Sequence, residues 1–371
     1  MKKAVFIAPR KYVQGRGVLK EIGFWLAKLG KRPLLLWDKS VRDLVGETVL
    51  ASIKQSGLEA VDVVFNGEST KAEANRLAQI ARDRGADISV GLGGGKTLDA
   101  AKAAAVYAGI KMVTVPTIAS NDSPTSAATV WYDDAGNCTG WDVWPFNPDI
   151  VLVDSQVVAN APVRTFVAGM GDALATWLEA EAAFKTRAVN LAGGVPTMAG
   201  MALARLCFDT LLEHGIEAMH AVELHLVTHA VEKVIEANVL LSGLGFESGG
   251  LATAHDIANA LPSFPECKKF MHGEKVGFGV ISQLCLDDEM DTDKMCAIVD
   301  FEIAVGLPVT FEDLNLEGVT RDRLKKIGEI CAAEGSLSQN FPFQITPDDI
   351  VDAMIAADAL GRRRKEGCCC E

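Results

Sequence analysis

Residues 91–102 read GLGGGKTLDAAK and lie between an apolar run and an alanine-rich run. Consecutive glycines let a backbone approach an anion, and a helix that follows them directs its N-terminal N–H groups and positive dipole end to the same point. The stretch nearly spells a P-loop, but counting back from Gly95-Lys96-Thr97 the first required glycine falls on Val90. It also fails the dinucleotide fingerprint, because after Gly91 and Gly93 the third glycine position is Lys96. The physics common to both motifs survives, so the expected role is a shortened pyrophosphate cradle, with a plain strand-to-helix turn as the alternative.

Working outward, PLLLWDKS places Asp38 at the end of an early strand, where a carboxylate can accept from an adenosine ribose and repel a 2′-phosphate. That acid precedes the glycines by more than fifty residues, whereas the usual order puts it about 20 residues after them, so a dinucleotide fold here is a variant. Strands are expected at Pro33–Trp37, Ala60–Phe65, Ile88–Gly91, Met112–Pro116 and Ile150–Val153, separated by helical runs such as Leu19–Leu29, Lys71–Arg84 and Thr97–Tyr107. This alternation predicts a parallel sheet covered by helices. Beyond Pro162 the chain turns to long Ala/Leu/Glu-rich segments with helical period, which predicts an α/β domain over residues 1–160 and an all-α domain over 161–371, with a ligand in the cleft between them.

The whole-chain figures narrow the function. At 371 residues, with 49% apolar and 23% charged, the sequence has the size of about two domains and the composition of an ordinary globular protein. A net charge of −13 argues against nucleic acid and anionic membrane as partners. Apolar runs stay short of the ~18 residues of a membrane span, and MKKAVFIAPRKYV is too brief for a secretory signal. Nine cysteines without a CxxC pair read as reduced cytoplasmic thiols, and the tail RRRKEGCCCE, with Cys368, Cys369 and Cys370, reads as a frayed end.

Six histidines can be weighed singly. His214 and His220 read as surface residues. His225 and His229 have the spacing of a helical metal pair, but Leu226 stands where a zinc protease carries its glutamate, and a surface or interhelix pair explains them better. His255 and His272 sit beside glycine-rich punctuation, 17 residues apart, which permits a helix, a turn and a second helix. A divalent ion needs at least one ligand more, and the best candidate is Asp172 in VAGMGDALATWLEA, although a helix N-cap explains that residue equally well.

Taken together, GLGGGKTLDAAK, TVPTIASNDSPTSA, MGDALATWLEA, ESGGLATAHDIANAL and MHGEKVGFG resemble the iron-containing (group III) alcohol dehydrogenase superfamily and, within it, the glycerol dehydrogenases, from about residue 5 to about residue 360. The resemblance implies a variant Rossmann domain followed by a helical domain, the architecture shared with dehydroquinate synthase. It implies NAD-dependent oxidation of glycerol or a similar small diol to dihydroxyacetone, with a divalent metal on Asp172, His255 and His272. NAD is then expected on Asp38, on Gly94, Gly95, Lys96 and Asp99, on Thr117 and Ser120, and on Ser126, Ala128 and Tyr132, with Asp122 touching the polyol. Homo-oligomers, often octamers, are implied as well.

The chain departs from the family pattern in several places. Where members commonly read HAIHNG it has Ala258 and Ala260, which puts the preferred diol in question, and Thr125 alters the same wall. Iron-dependent members tend to carry a fourth ligand at the position of Thr176, and the three-ligand set left here favours zinc over iron. A dehydroquinate synthase-type lyase is the rival enzyme class; its glutamate ligand and acidic substrate are at odds with Asp172 and with the acid in SNDSPTSA.

Overall fold

The fold is that of a computed structural model, in which residues 2–133 and 136–367 are described. It divides into two compact units, the first comprising Ile7–Phe166 and Ala221–Gly243, the second Met1–Phe6, Val167–His220 and Leu244–Glu371.

The first unit is a six-stranded parallel sheet. In chain order its strands are β1 (Tyr12–Gly15), β2 (Pro33–Trp37), β3 (Val61–Val64), β4 (Ile88–Gly93), β5 (Lys111–Pro116) and, after a separate antiparallel hairpin of β6 (Ala128–Tyr132) and β7 (Cys138–Val143), β8 (Ile150–Asp154). Their spatial order is β1-β8-β5-β4-β2-β3. β2, β4 and β8 are buried along their whole length, as strands covered on both faces must be.

Alternation along β2 assigns the faces. Leu35 and Trp37 join a core with Val45, Val49 and Ile53 of α2 (Lys39–Gln55) and with Ile22 and Leu26 of α1 (Ile22–Leu26). Leu34 and Leu36 join the opposite core with Leu77 of α3 (Lys71–Arg84) and the small Ala100, Ala101 and Ala104 of α4 (Gly95–Ala108). Sequence punctuation sets the helix ends: Thr70 caps α3 by accepting from Glu73 N–H at 3.0 Å, and left-handed Gly85 (φ 62°) closes it. The unit is completed by α5 (Ser155–Ala159), the start of α6 (Val163–Thr186) and α8 (His229–Glu236), which runs into a π-helical turn at Ala237–Leu241.

The second unit is helical. It holds α6 from Val167 on, α7 (Met198–Glu223) as far as His220, α9 (Ser242–Gly249) from Leu244, α10 (Thr253–Ala260), α11 (His272–Leu284), α12 (Thr292–Val305), α13 (Arg321–Cys331) and α14 (Pro347–Lys365). Its core gathers Ile257, Phe278, Ile281, Val299, Phe311, Leu324, Ile327 and Met354.

Some expectations need correction. Asp172 lies in the middle of α6, so the N-cap reading of it is removed. His225 is left-handed (φ 57°) between α7 and α8, so HLVTH is not one helix and its spacing carries no metal geometry. The first basic residues of the tail are not frayed: they form the last turn of α14, where Arg362, Arg364 and Lys365 meet Asp358, Asp300 and Asp313 and complement the helix dipole. Cys368, Cys369 and Cys370 lie outside the described residues. Cys138, Cys207, Cys267, Cys285 and Cys331 carry free thiols, whereas Cys296 is disulfide-bonded. No described helix is long and apolar enough to cross a membrane.

Candidate functional site

In the first unit the strand order explains the position of Asp38. Reading β3-β2-β4-β5-β8, the chain leaves β2 to one side and returns to place β4 on its other side, so the order reverses between β2 and β4. Ligands of open α/β sheets bind outside the carboxyl ends of the strands at such a switch point. Asp38 follows β2 and the glycine turn follows β4, so two segments far apart in sequence flank one crevice.

The glycines are there for close approach. Gly93 adopts φ 153°; a Cβ on Gly95 would stand 2.8 Å from Asn121 Nδ2, and one on Gly91 would stand 2.8 Å from the Cβ of Ala101, jamming α4 against its strand. Helix α4 starts at Gly95, two residues earlier than expected, with Gly94 as a cap that has no side-chain acceptor. Its first N–H groups therefore depend on an acceptor from elsewhere, the property that makes a helix N-terminus an anion site. Asp38 caps α2, its Oδ1 accepting from Val41 N–H at 2.9 Å and Ser40 Oγ at 2.6 Å. Lys96 reaches Glu68 at 2.5 Å and lies over the Tyr132 ring at 4.7 Å.

The loop after β5 is held from behind. Thr117 N–H donates to the Gly93 carbonyl at 3.1 Å, and both Thr117 and Ser120 are buried. Asp99 is turned inward: Oδ1 accepts from Ser123 Oγ at 2.6 Å and faces Lys102 Nζ at 2.9 Å, while Oδ2 accepts from Val130 N–H at 2.9 Å. Fully buried Lys102 donates onward to the carbonyls of Ser123 at 2.9 Å, Ser126 at 3.3 Å and Ala128. Asn238, in the π-helical turn, donates to the carbonyls of Ala119 at 3.1 Å and Phe166 at 3.0 Å, and Thr125 Oγ1 donates to Val239 at 2.6 Å. Asp122 is half-buried within this braced loop, accepting from Ser242 Oγ at 3.3 Å. Sequence reasoning missed Lys102 and Asn238; the only signal was a lysine inside an otherwise alanine-rich face.

A cavity of about 1000 Å³ opens at the other, amino ends of the strands, lined by Leu29, Asp87, Ile110, Lys111, Phe146 and Asp149. It contains none of the expected site residues, and the chemistry of the crevice outweighs its size.

In the second unit, α6, α10 and α11 bring Asp172, His255 and His272 together. Asp172 Oδ1 lies 3.5 Å from His255 Nε2 and 3.4 Å from His272 Nε2, and the two rings are 5.3 Å apart. One ligand atom from each of the three falls within 4.8 Å of the others. Metal bonds of 2.0–2.1 Å in a tetrahedron put neighbouring ligand atoms about 3.4 Å apart, so the donor set and its spacing fit a zinc-sized cation. Thr176, one turn on from Asp172, is buried and adds no imidazole.

Electrostatics distinguish the two rings. Burial drives His255 down, but the Glu179 and Asp172 carboxylates outweigh it and hold the imidazole well above its ordinary value. His272 is lowered to about 4, by desolvation first, with Asp172 opposing, and is therefore neutral and ready to donate a lone pair near pH 7. Sequence reasoning also missed Glu179, which is fully buried and bonds His255. Its signal was a second acid two helical turns after Asp172 on an apolar helix.

Residues 9–155 match the family described as iron-containing alcohol dehydrogenase. Glycolaldehyde reductase of Halobacterium salinarum is 44% identical over 98% of this chain and 99% of its own length. Glycerol dehydrogenase of Thermotoga maritima is 44% identical over 97% and 98%. Among solved structures, glycerol dehydrogenase of Schizosaccharomyces pombe superposes with a TM-score of 0.94 at 34% identity, covering 99% of this chain and 94% of that one. The chain belongs to the iron-containing alcohol dehydrogenase family and is an oxidoreductase of the alcohol dehydrogenase type. Within that family, its near full-length relatives at 42–44% identity include several glycerol dehydrogenases.

Proposed function

We propose that the protein oxidises glycerol or a similar small vicinal diol with NAD as hydride acceptor, giving dihydroxyacetone from glycerol. The observation that carries this is the convergence of Asp172, His255 and His272 on one point, in a chain whose other unit opens a glycine turn at its switch point. The three residues are suited to hold zinc, which when bound would lend Lewis acidity to a substrate hydroxyl.

The chain's own residues do the rest. The amides at the start of α4 and Lys96 receive the pyrophosphate, and Asp38 accepts from the adenosine ribose while repelling a 2′-phosphate. Asp122, on a loop fixed by Lys102 and Asn238, orients a second hydroxyl and so selects diols over simple alcohols. The similarity to a glycolaldehyde reductase is compatible with this reading, since reducing that hydroxyaldehyde is diol oxidation run backwards. The proposal includes a self-associated enzyme acting in the cytoplasm on a small polyol, with no nucleic acid or membrane partner, consistent with a net charge of −13.

His272→Ala tests it. The variant is expected to lose zinc and glycerol-dependent NADH formation, by well over 100-fold, while NAD still binds by fluorescence titration. Turnover retained by metal-free variant protein would refute the scheme.

A further inference from the structure

Helix α10 begins without a cap of its own. Its N-cap residue is Ala252, which offers no side-chain acceptor to the first N–H groups. Two other helices supply acceptors instead. Gln283 Oε1 on α11 takes Ala254 N–H at 3.0 Å, and Glu179 Oε1 on α6 takes both Ala252 N–H at 3.0 Å and His255 N–H at 2.9 Å. Glu179 thus serves the cap residue and the third residue of the helix, a pair of donors usually met by two local side chains.

The second oxygen of the same carboxylate meets the histidine ring. Glu179 Oε2 lies 2.5 Å from His255 Nδ1, and Glu179 has no exposed surface. An ionised carboxylate only accepts, so Nδ1 must donate. That leaves Nε2 as the atom turned to Asp172, 3.5 Å away. Asp172 and Glu179 are seven residues apart on α6, two turns, and so stand on one face of that helix about 10 Å apart along its axis. One rigid element therefore carries both a ligand and the group that orients its neighbour.

We propose that Glu179 is a positioning residue: by gripping the backbone and Nδ1 of His255 together it fixes the ring with Nε2 toward Asp172 and His272, and so sets how tightly the three ligands hold a divalent cation. This rests on the metal reading of the site. A helix cap alone would need only an oxygen facing two N–H groups, and Glu179→Gln separates the two roles. Its amide oxygen can still cap α10, but its NH₂ then faces Nδ1, forces that atom to accept, and moves the ring proton to Nε2, where it blocks the lone pair.

The test titrates Zn²⁺ into chelator-stripped full-length protein against a chromogenic chelator. Glu179→Gln is expected to bind 10- to 100-fold more weakly, the usual cost of losing a partner behind a metal ligand, while its metal-free thermal midpoint stays within a few degrees of wild type. In wild type, proton NMR is expected to show a far-downfield Nδ1 proton that disappears in Glu179→Gln and in His255→Ala. Folded Glu179→Gln that binds Zn²⁺ within twofold of wild type would overturn the inference. If that variant does not fold, the wild-type spectrum decides, and absence of the Nδ1 proton overturns it. A wild-type chain that takes up neither Zn²⁺ nor Fe²⁺ sinks the metal reading itself, an outcome distinct from equal binding by both proteins.

Discussion

At the switch point of the sheet, the groups offered to a ligand are chiefly backbone amides freed by glycines, together with one carboxylate that also caps a helix. In the helical unit the offered groups are side chains, three of them converging within 4.8 Å, with a fourth locked behind. Buried charge is handled differently as well. Lys102, fully buried in the first unit, faces Asp99 and donates to three carbonyls. The carboxyl of Glu302, fully buried on α12 in the second, finds no hydrogen-bond partner among the described residues and is held well above the carboxylate range by desolvation. A backbone site is shaped by leaving atoms out, and fails when they are added; a side-chain site fails when they are removed.

That contrast can be broken by adding one methyl group. Gly91→Ala brings a Cβ within 2.8 Å of Ala101 and 3.2 Å of the Leu98 backbone, so it is expected to cost about 1–3 kcal/mol in urea unfolding. It should also weaken NAD binding by displacing α4, while leaving Zn²⁺ affinity unchanged. Equal losses at both sites would erase the distinction.

Asp38→Asn sharpens it further. Asparagine caps a helix about as well as aspartate, so stability should hold within about 0.5 kcal/mol. The negative charge is gone, and the preference for NAD over NADP should shrink about tenfold in the ratio of kcat/KM values. An unchanged ratio would reduce Asp38 to a cap.

A third test concerns Glu302 and is read against pH. Folded protein keeps the proton that unfolded chain releases above about pH 4.3, so the folded state binds more protons and stability falls as pH rises toward the raised folded value. Glu302→Gln keeps the shape without the ionisation. Its stability relative to wild type should therefore improve from pH 4.5 to 8, by at most about 1.4 kcal/mol per pH unit. A difference independent of pH would place an unseen partner on the carboxyl.

Much of this is legible in the sequence alone, and the pattern of omissions is physical. Pro33–Trp37 and Lys71–Arg84 coincide with β2 and α3, because a doubly covered strand is an uninterrupted apolar run and a capped helix carries its own punctuation. Tyr12–Gly15 was missed because it is short and only half-buried, and Cys138–Val143 because most of its residues face solvent. Leu19–Leu29 reads as one helix, yet the chain forms a 3₁₀ turn at Val18–Glu21 and only five α-helical residues after it. The candidate metal residues stand in motifs, whereas the roles of Glu179, Lys102 and Asn238 depend on helices and loops that meet only in the fold. The return of Ala221–Gly243 to the first unit likewise has no local signature.

The alanine at position 252 has a practical corollary for anyone seeking a sturdier catalyst. Serine or aspartate there would satisfy every rule for strengthening an isolated helix start. In this fold, however, Ala252 is fully buried in the helical core and the N–H groups of the helix start are already taken by Glu179 and Gln283, so a new acceptor would only compete for the His255 amide, loosen the grip on the neighbouring imidazole and add no stability.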